Sequence, residues 1–294
     1  MPEILDIFQT NGADEVYCSI KDEINPRCQE AKVFVNQLWQ LVHNYLDPDL
    51  PAKLPNQFHQ HFWEIYLADL LLKIGLNLDY SNSSDGPDIC IKCSDSSVWV
   101  EAVTALAGDG VDAVQKADFD VASDVPDDQI KLRLLNSFDK KSKKYEVCKQ
   151  KNWVDSKDPY IIAINDALVP SARCKQEIPR IVRSLLPFGD SVLHLDKETL
   201  HVVGTSYEYQ GKVVKASGNG PETTYFLNPK FSGISAVIYS CADVFNYPTD
   251  SSQSLLLLHN PLAVNPLPLG FLKKGHEYWI DDQYDRLRLS CRVR

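Results

Sequence analysis

Two carboxylates in this chain stand where a carboxylate needs a reason. Asp88 follows Gly86-Pro87 at the head of an apolar run, DICIKC, and Glu101 sits inside another, VWVEAVT. A buried carboxylate without a partner is strongly unfavourable, so Glu101 implies a partner, and a metal ion is the simplest one. Only Ser94-Asp95-Ser96-Ser97 separates the two runs. They therefore read as an antiparallel hairpin, and carboxylates on neighbouring strands can converge on one ion. Mg²⁺ takes hard oxygen ligands, usually one or two carboxylates with waters and substrate phosphate. Such an ion polarises a phosphoryl oxygen and makes a nucleophile of water. The chemistry in view is hydrolysis of a phosphodiester.

The surrounding elements must hold those groups in place. Apolar spacing predicts helices over 30–45 and 57–74, the second stopped by Gly75. Three prolines between 47 and 55 separate them. A short strand over 76–80 and a polar turn over 81–86 lead into the hairpin of 88–93 and 98–104. An exposed loop is expected over 105–128 and a helix over 129–151. The bare apolar run YIIAIN, 160–165, suits a buried central strand. Beyond it, 200–204, 234–240 and 255–259 read as strands, and 217–221 and 260–268 as turns. The expected organisation is one α/β domain: an N-terminal helical segment, 1–56; a core, 57–165; and a C-terminal extension of the same sheet, 166–294.

The 294 residues carry a net charge of −10, which is unfriendly to a protein that coats nucleic acid over its whole surface. The asymmetry is local. Residues 131–151 hold eight basic side chains against Asp139 and Glu146, a charge of +6, as a phosphate-contacting helix would show. No run approaches the roughly 20 apolar residues of a membrane helix. The acidic start, MPEILDIFQTNGADE, does not read as a signal peptide. Eight scattered cysteines then read as reduced thiols in the cytoplasm. Cys90-x-x-Cys93 lacks the second pair a structural zinc wants. His59 and His61 do not share a helical face and read as ordinary, and His259 reads as a hydrogen-bonding cap of the following turn. Nucleotide-cofactor, acyl-transfer and zincin motifs are absent from the sequence.

Asp88 preceded by proline, twelve residues, and then Glu101 resembles the PD…(D/E)xK layout of the PD-(D/E)XK, or restriction endonuclease-like, nucleases. The likeness covers about 57–165. The strings GPDICI and VWVEAV, running on to LLLLHNPLA, are similar to an uncharacterised bacterial branch of that superfamily. The resemblance implies a mixed central sheet flanked by helices and a Mg²⁺- or Mn²⁺-dependent nuclease, acting on DNA more than RNA. It implies that Asp88, Glu101 and the Ala102 carbonyl hold the metal, and that Glu64 on the preceding helix binds a second ion or a metal-bound water. It implies DNA contact through helix 131–151, and a role in defence or repair. One departure stands out. The pattern calls for lysine two residues after the glutamate, and this chain has Val103. Relatives move that lysine to a neighbouring helix, where Lys140, Lys141, Lys143 and Lys144 are candidates. The family's LR…K pattern selects Lys141, eight residues after Arg133, and Gln129 is a polar substitute. Without any of these the chain would be an inactive module of the same fold that binds nucleic acid or protein.

Overall fold

The computed structural model describes residues 5–80, 86–94, 96–116, 118, 120–122, 124–174, 176–248, 250, 255–281 and 287–293. The turn expected over 81–86 therefore lies, but for Gly86, outside the described residues.

An eight-stranded mixed sheet runs through the described chain in the order β1-β2-β3-β4-β7-β8-β9-β10. Its strands are β1 (Leu78–Asp79), β2 (Ile89–Lys92), β3 (Ser97–Thr104), β4 (Tyr160–Asn165), β7 (Ala236–Ser240), β8 (Leu256–His259), β9 (His276–Asp281) and β10 (Arg288–Val293). The expected hairpin is present: β2 and β3 pair antiparallel, with Ile89 opposite Val100. The central run pairs parallel with β3 on one side and β7 on the other, and all six of its residues are buried. A strand covered on both faces has no polar side, which is why YIIAIN shows no alternation.

Each face of the sheet has its own core. On one, Val98, Val100, Ala102, Ile161 and Ala163 meet α1 (Glu15–Lys21), α2 (Pro26–Val42) and α4 (Phe58–Lys73); the single turn α3 (Leu50–Lys53) leads into α4. On the other, Val103, Tyr160, Ile162 and Ile164 meet α5 (Asp127–Gln150) and α6 (Arg180–Leu185). Alternation along β3 thus sends Ala102 towards α4 and its neighbours Glu101 and Val103 towards α5. Helix α4 is buried on most sides because it lies between α2 and β3. Asp127 and Asp128 in the first turn of α5 suit the positive end of its dipole.

Several elements depart from the sequence expectation. Helix α1, capped by the Asp14 carboxylate on the N–H groups of Val16 and Tyr17, had no sequence signal strong enough to predict. The strand expected over 200–204 is part of β6 (Val202–Tyr209), which pairs with β5 (Phe188–Leu195) in a separate two-stranded sheet. That pair is exposed along most of its length, so no burial alternation marks it. His259 does not cap the turn after β8. Its Nε2 lies 2.8 Å from Glu277 Oε1, while Asn260 holds the turn by donating to the Phe231 and Ile234 carbonyls at 3.0 and 2.8 Å. All eight cysteines are free, and no helix among the described residues is long and apolar enough to cross a membrane.

Candidate functional site

The site grows from a place where the sheet is incomplete. Strand β2 starts at Ile89, so the antiparallel register carried one step further sets Asp88 opposite Glu101. Past that point Ala102 and Thr104 point their backbone groups at an edge on which none of the described residues forms a strand. Side chains take over. The Ala102 N–H donates to Asp88 Oδ2 at 2.6 Å, and the Thr104 N–H donates to Gln60 Oε1 at 2.9 Å. Gln60 Nε2 donates to the Ala102 carbonyl at 3.3 Å. A backbone group left unmatched at a buried edge is costly, and Asp88 and Gln60 remove that cost here.

Glu101 is fully buried on the α5 face. Its partners are two ammonium groups and a phenol. Lys141 Nζ and Lys144 Nζ both donate to Oε1, Lys144 at 2.8 Å, and the Tyr160 hydroxyl donates to Oε2 at 3.4 Å. The buried charge thus has partners within the protein, which the sequence argument had assigned to a metal ion. Burial works to lower the Lys144 pKa, but Glu101 and Asp88 outweigh it and hold it above the ordinary lysine value. Burial, then Glu101, hold the Tyr160 phenol well above its usual range.

Glu64 lies on the opposite face, on α4. Gln60 Nε2 donates to its Oε1 at 2.9 Å and His61 Nδ1 sits 3.1 Å from its Oε2. Glu64, His61 and Asp88 line one cleft of about 60 Å³, with Lys53 and Tyr80 on its wall. Asp88 lies between the two faces and feels both. Burial, then the charges of Glu101 and Glu64, push its carboxyl well above the usual range, against the pull of Lys141 and Lys144.

The residues expected from the sequence are therefore brought together in pairs. Asp88 touches Ala102, Glu64 reaches Ala102 through Gln60, and Glu101 meets Lys141. Among the described residues no group of three or more His, Cys, Asp or Glu side chains is arranged to hold a metal ion. The oxygens at hand, from Asp88, Glu101, Glu64 and the Ala102 carbonyl, are nonetheless the hard donors a divalent cation takes. Burial is the largest cause of the rise in the Asp88 pKa, with the charges of Glu101 and Glu64 adding to it.

The other lysine candidates lie elsewhere. Lys140 is exposed, Lys143 pairs with Asp139 at 2.5 Å, and Gln129 stands about 18 Å of helix rise before Lys141. The basic helix is less of a face than its composition suggests. Lys131 is buried against Asp128 at 2.7 Å, Lys149 pairs with Glu146, and Arg133 packs into space left by Gly108, where a Cβ would lie 1.7 Å from its Nη1. Lys144, named among the lysine candidates, joins Lys141 on Glu101 from i,i+3, and three further contributors escaped the sequence reading. His61 and Gln60 stand at i,i+3 and i,i+4 to Glu64, so helical spacing offered a signal for each. Tyr160 offered none, being one apolar residue in a buried run. Comparison of the chain with protein-family models, curated proteins and solved structures finds no match in any of the three.

Proposed function

We propose that this protein is a metal-dependent nuclease of the PD-(D/E)XK type, cutting phosphodiester bonds of DNA in preference to RNA. The observation that carries the reading is the contact between Lys141 and Glu101. In this reading Lys141 on α5 takes the part of the lysine that the pattern calls for at Val103. The order α4-β1-β2-β3-α5-β4 supports it further, since helix, hairpin, basic helix and central strand follow one another as the sequence led one to expect.

In this reading Asp88, Glu101 and the Ala102 carbonyl hold Mg²⁺ or Mn²⁺, with Glu64 as a further ligand directly or through water. When bound, the ion polarises the phosphoryl oxygen and makes water nucleophilic. The chain does the rest. Lys141 and Lys144 set the orientation of Glu101 and bring positive charge to the α5 side of the site, where charge develops on phosphate oxygens. Asp88 fixes β3 through the Ala102 N–H and lines the cleft.

The test is cleavage of plasmid, single-stranded DNA and RNA with Mg²⁺, Mn²⁺ or chelator. Wild type should cut, and Glu101→Gln should lose activity by orders of magnitude and bind Mn²⁺ more weakly. A wild type that cuts nothing, with Mn²⁺ binding unchanged in Glu101→Gln, would overturn the reading. One observation favours a second reading, an inactive binding module: Glu101 is already neutralised by two lysines. In that case Lys141→Ala with Lys144→Ala would strand a buried charge, at a cost of about 3–5 kcal/mol, and Mn²⁺ would not restore the melting temperature. In the nuclease, Mn²⁺ would.

A further inference from the structure

Gln60 ties three groups of the site together. Its Oε1 accepts from Thr104 N–H at 2.9 Å, and its Nε2 donates both to Glu64 Oε1 at 2.9 Å and to the Ala102 carbonyl at 3.3 Å. One NH₂ group thus bridges two oxygens from different elements, a carboxylate on α4 and a carbonyl on β3. Two acceptors aimed at one point repel unless something positive lies between them. Here that is a pair of amide hydrogens. A divalent cation satisfies the same pair more strongly, since it carries full charge and prefers such hard oxygens.

We infer that the Gln60 amide occupies the seat of a divalent ion between Glu64 and the Ala102 carbonyl, and that this residue sets the ion affinity of the site. The inference rests on reading the site as a divalent-ion site. Gln60 is a positioning residue in this role. It keeps Glu64 and Ala102 aligned with the β3 edge through Thr104, and it gives up its two N–H contacts when an ion arrives. Replacing the NH₂ by oxygen turns the competitor into a ligand. Gln60→Glu keeps the size of the side chain and the acceptor for Thr104, and it places a third oxygen donor in the seat.

Mn²⁺ titration by calorimetry and by the loss of its free-ion electron spin resonance signal tests this without any turnover. Gln60→Glu should bind Mn²⁺ at least tenfold more tightly than wild type. Glu64→Gln added to that variant should take the gain back. Gln57→Glu, the same charge change three residues earlier on an exposed position, should leave affinity within about twofold. Gln60→Met removes the competitor but adds no oxygen donor and leaves the Thr104 N–H unmatched, so it should show none of that gain, and thermal melting of each variant guards against a folding artefact. Gln60→Glu that binds no tighter than wild type overturns the inference and leaves the nuclease reading standing. So does an equal gain in Gln57→Glu, which would make the effect one of general charge. A wild type that binds no Mn²⁺ while Gln60→Glu does would overturn the nuclease reading and support the seat, with Gln60 as its occupant.

Discussion

Buried charge in this protein is handled in two different ways. Glu101, fully buried, has two ammonium groups and a phenol around it. Asp166, just after β4, is as deeply buried but has far less. The Tyr239 hydroxyl donates to its Oδ2 at 2.9 Å, and its Oδ1 has no hydrogen-bond partner among the described residues. Burial, set only partly back by Tyr239, Arg180 and Arg173, pushes its carboxyl up to about 7. The folded state then keeps a proton that the unfolded chain releases near 3.8. The stability this group contributes is complete below that lower value and fades as pH rises through about 7, a loss of roughly 4 kcal/mol. Asp166→Asn keeps the shape without the ionisation. Urea midpoints between pH 5 and pH 8 should fall with rising pH in wild type relative to Asp166→Asn. Parallel curves would show that Asp166 finds compensation when ionised.

At the scale of elements, the incomplete edge of β3 decides how the site should be probed. Asp88 is both a candidate metal ligand and the hydrogen-bond acceptor for Ala102 N–H. Alanine at 88 strands that donor and should cost about 1–3 kcal/mol. Asp88→Asn keeps a carbonyl oxygen for the Ala102 N–H and removes the charge. It should melt close to wild type while losing Mn²⁺ affinity and cleavage, as thermal melting and titration would measure. An asparagine variant as unstable as alanine would mean that the ionised form itself holds the edge. The sequence made much of this element layout legible. An eight-residue strand with a buried glutamate, a short connection and a bare apolar run are strong local signals, and β2, β3, β4, α4 and α5 follow them. It did not reveal what Glu101 faces, because Lys141 and Lys144 lie forty and more residues away and only the crossover through α5 brings them in. Helix α1 and the β5–β6 pair were also out of reach: one is short, and the other buries too little for its side chains to alternate.

For the molecule as a whole, the decisive quantity is how many cations remain for a polyanion. The net charge is −10, and most of the basic helix is committed inward. Lys141 and Lys144 serve Glu101, and Lys131 serves Asp128. Lys140, Lys143 and Lys151 are the exposed members, and Lys143 is already paired with Asp139. If this helix meets DNA, about three phosphates are neutralised, and the slope of log K against log salt should be about −3. Fluorescence anisotropy with labelled duplex over a range of salt would measure it. A slope beyond about −6 would require the buried lysines to turn outwards, or another surface to carry the contact.

The gap beside β3 also has a consequence for motion. Along one strand, successive amides are held by different kinds of partner. Trp99 and Ala105 donate to backbone carbonyls of Pro159 and Asn165, in and beside the buried central strand. Ala102 and Thr104 donate to side chains that can rotate away without any strand separating. Amide hydrogen exchange should therefore alternate along 99–105, slow where release needs the sheet to open and faster where a single rotamer change is enough. Ala102 and Thr104 become built-in reporters of the site, and whatever seats itself between Asp88, Gln60 and Glu64 should register first as a change in how quickly those two protons leave.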